Sequence, residues 1–187
     1  MDDHSEKEEI LNLEKPLFHF ISELEKRGIS YAMIGGLAIN AWGFRRFTHD
    51  VDFTILLTEE QSQKFVSYLK SNPEYKIQSV AFISLEKIPD FIRLHMGKIP
   101  VDFLVANTEF MEEVIRRAVR RKFFDKEVPF ATPEDLLIFK LLADRPHDRL
   151  DVQELLKCHP KMDWPYIEKW CRVWEIEERL KTLKISS

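Results

Sequence analysis

Cysteine is scarce in this chain of 187 residues: only Cys158 and Cys171 occur. Neither belongs to a CxxC pair, which argues against a zinc ribbon and a disulfide framework. Both are expected to be small core residues. His159 beside Cys158 has no second half that would complete a metal site. Long apolar runs are missing as well. No stretch approaches the roughly 20 residues needed to span a bilayer, and the acidic start MDDHSEKEE carries no apolar signal region. These absences predict a reduced, cytoplasmic protein with no membrane partner. An excess of one charge is also lacking, for the net charge is only −4. Any nucleic-acid contact must therefore come from a local basic face. What the chain has instead is fourteen Phe and four Trp, enough large apolar surface for a well-formed core. Its length suits one core with a helical appendage rather than two ordinary domains.

Read in order, residues 1 to 8 are expected to be loose. Ile10, Leu13, Leu17, Phe18, Ile21 and Leu24 then recur at threes and fours, predicting an amphipathic helix over 9–27 that Pro16 divides. A strand over 29–34 runs into Gly35-Gly36 and a short helix over 37–42. Strands are predicted over 51–57, 75–80, 91–96 and 99–105, with a helix capped by Thr58 between the first two. A helix over 108–121 and a last edge strand over 127–131 close a mixed half. Thr132-Pro133-Glu134-Asp135 is a helix start, with a capping hydroxyl, Pro at the first helical position and acids in the first turn. Further helices begin at Pro146 and at Asp163-Trp164-Pro165. The seam falls near Phe130, so 1–130 is expected to be the α/β core and 131–187 a helical subdomain packed on it.

The chemistry concentrates in Ile34-Gly35-Gly36 and, thirteen residues further, Asp50-Val51-Asp52-Phe53. Period-two geometry puts Asp50 and Asp52 on one face of a strand, about 7 Å apart by strand rise. Two such carboxylates repel unless a cation lies between them, and hard oxygens aimed at one point suit Mg²⁺. Asp102 sits inside the apolar strand Ile99–Val105, where an unpaired buried acid costs several kcal/mol. It needs a partner, and a metal on Asp50 and Asp52 provides one if the strands are neighbours. The glycine pair lets the backbone approach a phosphate closely at the start of a helix.

Gly35-Gly36, Asp50-x-Asp52 and the later strand Asp102 together resemble the polymerase-β-type nucleotidyltransferase superfamily. The nearest likeness is to the minimal AbiEii-like group, which includes toxin nucleotidyltransferases. Arg45-x-x-Thr48-x-Asp50-x-Asp52, and later Thr132-Pro133-Glu134-Asp135-Leu136, Lys140, Arg145, Asp148 and Asp151, are similar to that group's patterns. The resemblance implies an α/β nucleotidyltransferase fold, a small mixed sheet flanked by helices with a helical C-terminal part. It implies a Mg²⁺-dependent enzyme, with two ions in the active complex, that moves NMP from an NTP such as ATP to an acceptor hydroxyl. Asp50, Asp52 and Asp102 would be the catalytic, metal-binding carboxylates. Gly35, Gly36, Arg45, Thr48, Lys140, Asp148 and Asp151 would serve the nucleotide. The acceptor would be tRNA, a protein or a small molecule, and an antitoxin partner or a homodimer is implied by the toxin relatives. Leu37 stands where the wider superfamily often has a phosphate-binding hydroxyl.

Plainer readings stand beside these. Arg45 and Arg46 pair either with surface acids or, for Arg45, with nucleotide phosphates. Thr48 is read first as a brace for the turn before Asp50, and His49 as a solvent-facing neighbour. Lys140 lies in the apolar run Leu136–Leu142, where a lone cation calls for an anion. The cluster Arg116-Arg117-Ala118-Val119-Arg120-Arg121-Lys122 is either a solvated helix face or an RNA-backbone site. The whole chain is either the enzyme just described or a nucleotide-binding or interaction protein with little turnover on the same fold.

Overall fold

The computed structural model describes residues 3–44, 46–83 and 88–185, with side chains over 12–44, 46–83 and 88–182. Helix α1 (Asp3–Lys26) begins before the expected start and passes through Pro16 unbroken. Proline has no N–H to give the carbonyl of Asn12, but Asn12 is exposed and water can serve that group. Gly28, at φ 62°, turns the chain out of the helix and into β1 (Ser30–Met33). Then follow α2 (Gly35–Ala41), β2 (Val51–Leu56), α3 (Glu59–Ser71), β3 (Tyr75–Ala81), β4 (Phe91–Met96) and β5 (Ile99–Val105). The second half of the chain holds α4 (Glu109–Arg117), β6 (Val119–Phe123), β7 (Lys126–Phe130), α5 (Pro133–Ala143), α6 (Pro146–Cys158), α7 (Trp164–Val173) and α8 (Glu177–Ile185).

The seven strands form one mixed sheet in the order β3-β4-β5-β2-β1-β7-β6. The pairs β2–β5 and β1–β7 are parallel, and the others are antiparallel. Two capping boxes start helices where the sequence placed them: Thr58 with Gln61 opens α3, and Thr132 with Asp135 opens α5. Val51, Phe53, Val101 and Phe103 point from the central strands into the core. There Phe53 and Phe103 stack with ring centroids 5.3 Å apart, and Phe20 and Phe65 meet Phe103 edge-on. None of the described helices is long and apolar enough to cross a membrane.

Four further expectations are corrected. The strand at 126–130 is interior, because β6 pairs outside it. The helix before it stops at Arg117, four residues early, and the chain turns at Ala118 into β6. The last helix is two, divided where Glu175 takes φ 55°. Cys158 is exposed at the end of α6, whereas Cys171 is buried as expected. One side chain ties the distant parts together. The Trp42 indole donates to the Ala131 carbonyl at 2.7 Å, its own carbonyl meets His159 Nε2 at 2.9 Å, and Arg121 lies 4.2 Å over its ring.

Candidate active site

Strands β2 and β5 lie side by side with Asp52 directly opposite Asp102. Asp50 precedes β2 by one residue, so the three carboxylates gather at one place on the sheet. Their mutual repulsion is legible on Asp52. Burial, then the negative charges of Asp50 and Asp102, push its carboxyl up to about 8, although Lys140 and Arg93 pull the other way. Asp50 accepts a hydrogen bond from the Thr48 hydroxyl at 2.7 Å. Asp102 is buried and gripped by Arg93, whose Nε and Nη2 donate to its two oxygens at 2.8 and 2.5 Å. Among the described residues no three His, Cys, Asp or Glu side chains form a ready-made metal cage. Asp102 is instead paired with Arg93, and Asp50 accepts from Thr48. The donor set is nevertheless oxygen only, and Asp52 carries an electrostatic penalty that a divalent cation would relieve. The residues fit a hard cation such as Mg²⁺.

The glycine pair is required by its neighbours. A Cβ on Gly35, at φ 68°, would lie 2.0 Å from Asp52 Oδ2, and one on Gly36 would lie 2.4 Å from Thr48 Oγ1. Both missing side chains thus let α2 approach the acidic loop and strand. That loop is pinned to α2 by a reciprocal pair: Arg46 N donates to Asn40 Oδ1 at 2.8 Å, and Asn40 Nδ2 donates to the Arg46 carbonyl at 2.9 Å. Thr48 is buried and braces Asp50, as the plainer reading held. His49 is exposed, with its ring against Phe47. Arg45 lies outside the described residues.

Lys140 finds its anion within the chain. Its ammonium is buried and sits 2.7 Å from Asp148 and 2.8 Å from Asp151. Asp148 also takes Arg145 Nε at 2.6 Å, and Asp151 takes Arg46 Nη1 at 2.7 Å. Burial raises the Asp148 carboxyl, but the bonds from Arg145 and Lys140 outweigh it and hold the group at about 2. Arg46, expected to meet surface acids if any, meets the buried Asp151. Asp144 and Arg149 pair with each other at the rim, 3.1 Å apart, as a local salt bridge.

The basic cluster does not form one helix face. Arg117 packs 3.7 Å from the Tyr166 ring centroid and Arg121 on Trp42, so both are structural. Arg116, Arg120 and Lys122 are exposed. Since Val119 pairs with Phe130, and Phe130 with Met33, this junction lies at the end of the sheet from which Gly35 emerges. Sequence reasoning missed Arg93 altogether. Its signal is an arginine in an apolar strand, meaningful only once the β4–β5 register sets it across from Asp102.

An α/β chain whose glycine turn abuts an Asp-x-Asp strand and a third strand acid is a nucleotidyltransferase by fold. The chain belongs to the family described as nucleotidyl transferase of unknown function (DUF2204), which matches residues 14–169. No curated protein matches it. Among solved structures it is similar to the lincosamide antibiotic adenylyltransferase LnuA with lincomycin bound, at 20% identity and TM-score 0.56, covering 76% of this chain and 95% of that one. It is similar to the antibiotic-resistance factor ANT(2'')-Ia in solution, at 14% identity and TM-score 0.57, over 94% of this chain and 97% of that one. An antigenic nucleotidyltransferase-like protein from Paracoccidioides brasiliensis matches at 19% identity and TM-score 0.52, over 79% and 75%. At these identities the likeness establishes the fold.

Proposed function

We propose that this enzyme moves NMP from an NTP to an acceptor hydroxyl, using Mg²⁺ held by Asp50, Asp52 and Asp102. One observation carries the reading: Asp52 lies in register with Asp102, and burial with the neighbouring acids drives its carboxyl up to about 8. A site arranged only for stability would not gather three like charges. When bound, Mg²⁺ supplies positive charge to the reacting phosphate and to the acceptor oxygen. The chain's own residues do the rest. Thr48 orients Asp50. Gly35 and Gly36 offer backbone N–H groups to the phosphates. Lys140 spends two of its three donors on Asp148 and Asp151, leaving one for the triphosphate. Asp148 and Asp151 therefore act by aiming Lys140.

ATP is the first triphosphate to try, since LnuA is described as an adenylyltransferase. For the acceptor, the exposed Arg116, Arg120 and Lys122 favour RNA, tRNA included, while the antibiotic-modifying neighbours make small hydroxylated molecules the second choice. A toxin role, an antitoxin partner, a homodimer and a cytoplasmic setting are proposals that rest on the AbiEii-like resemblance and on composition; the family match itself stops at the superfamily. The test incubates purified protein with Mg²⁺, each α-labelled NTP, and cellular RNA, the protein itself or a panel of hydroxylated antibiotics. Label should move to one acceptor and stop in Asp52→Asn. Tight NTP binding with no transfer to any acceptor would favour a nucleotide-binding protein instead.

A further inference from the structure

Four cations approach the acids of this site, and three of them, Lys140, Arg46 and Arg145, are held by the α6 acids Asp148 and Asp151. Lys140 is buried between Asp148 and Asp151. Arg46 is held by Asp151 through its guanidinium and by Asn40 through its backbone. Arg93 differs. Its side chain is 46% exposed, and its ion pair is with Asp102, the carboxylate directly across the β4–β5 pair. The Phe91 ring, 5.3 Å from its guanidinium carbon, offers a second surface against which it can lie.

We propose that Arg93 is the resident counter-ion of the carboxylate cluster, holding Asp102 while no divalent cation is bound and giving way when one arrives. This rests on the reading of Asp102 as a metal ligand. An acid as buried as Asp102 needs a positive partner at all times. The guanidinium fork satisfies it by taking one lone pair on each oxygen. A dication needs those same oxygens and is repelled by the guanidinium beside them. Arg93 thus stabilises the empty site and weakens its grip on metal. In this role Arg93 is a positioning residue: it tunes cation affinity through Asp102.

Calorimetric titration of Mg²⁺ alone, with thermal unfolding with and without Mg²⁺, tests this on the full chain. Arg93→Ala should melt lower than wild type without the cation, yet bind Mg²⁺ about tenfold more tightly. It should also gain more stability from saturating Mg²⁺. Arg93→Lys, which keeps the charge but loses the fork, should fall between the two and guards against a failure of Arg93→Ala to fold. Adding Asp102→Asn to Arg93→Ala should cancel the gain in affinity. Stability and affinity falling together would mean mere structural damage and overturn the proposal, as would unchanged affinity. If wild type and Asp52→Asn alike bind no Mg²⁺, the metal site itself is refuted and this role with it.

Discussion

Asp148 and Asp151 on α6 and the three acids on the sheet are neighbours in one site, yet they are matched with charge very differently. Among the described residues, Asp148 and Asp151 share Lys140, Arg145 and Arg46, three cations to two acids. Among the described residues, Asp50, Asp52 and Asp102 have Arg93 as their ion-pair partner, with a neutral hydroxyl from Thr48. The α6 group is complete in itself and joins the two halves of the chain. The sheet group is short of positive charge, and Asp52 responds by keeping its proton to about pH 8. On the proposed reading, a deficit of this kind beside the glycine turn is what a bound cation would fill, whereas the α6 group needs nothing more.

The largest effect expected from disturbing that contrast is on the matched side. Lys140→Ala leaves two buried acids with only the half-reached arginines, and should cost about 3 kcal/mol of stability. Urea unfolding measures it. Lys140→Ala should also weaken NTP binding more than NMP binding, and an equal loss for both would leave Lys140 a purely structural cation. Gly35→Ala comes next, at about 1–3 kcal/mol from overpacking against Asp52, with loss of transfer activity. Gly28→Ala is its control, since it has a similar φ but open space around the new Cβ.

Opposite pH slopes should distinguish the two groups of acids. The Asp52 carboxyl is raised from 3.8 to about 8, so the metal-free folded state holds a proton that the unfolded chain has already released. Stability on its account falls as pH rises between those values. The Asp148 carboxyl is lowered to about 2, so its contribution is complete above the unfolded value of 3.8 and is lost as pH falls through about 2. Urea midpoints across this range should lose their alkaline slope in Asp52→Asn and keep their acid slope. An alkaline slope that survives the change would place the strained proton elsewhere. The smallest effect is Thr48→Val, which removes the hydrogen bond to Asp50 and should cost about 1 kcal/mol, seen as a several-fold weaker Mg²⁺ titration.

Much of this arrangement was legible from residue order alone, because its signals are local. Thr58 and Thr132 announce helix starts, and the Asp50-x-Asp52 spacing fixes a shared face wherever the strand lies. What escaped depends on contacts between distant segments or on unmarked breaks. Val119-Arg120-Arg121 reads as more helix because no glycine or proline marks the turn at Ala118. Glu175 divides the last helix with a left-handed residue that is not glycine. Arg93 and the Lys140 partners gain meaning only when sheet register and helix packing bring them to their acids.

Trp42 makes the order of the chain matter to the site's completion. Its two hydrogen-bond partners lie 89 and 117 residues downstream, and Arg46, four residues on, waits for Asp151. A ribosome that has released only the sheet-forming residues exposes a glycine turn and acidic strand whose supports have not yet been translated. The site is therefore closed by long-range contacts, and its glycine turn and acidic strand are made before the residues that brace them.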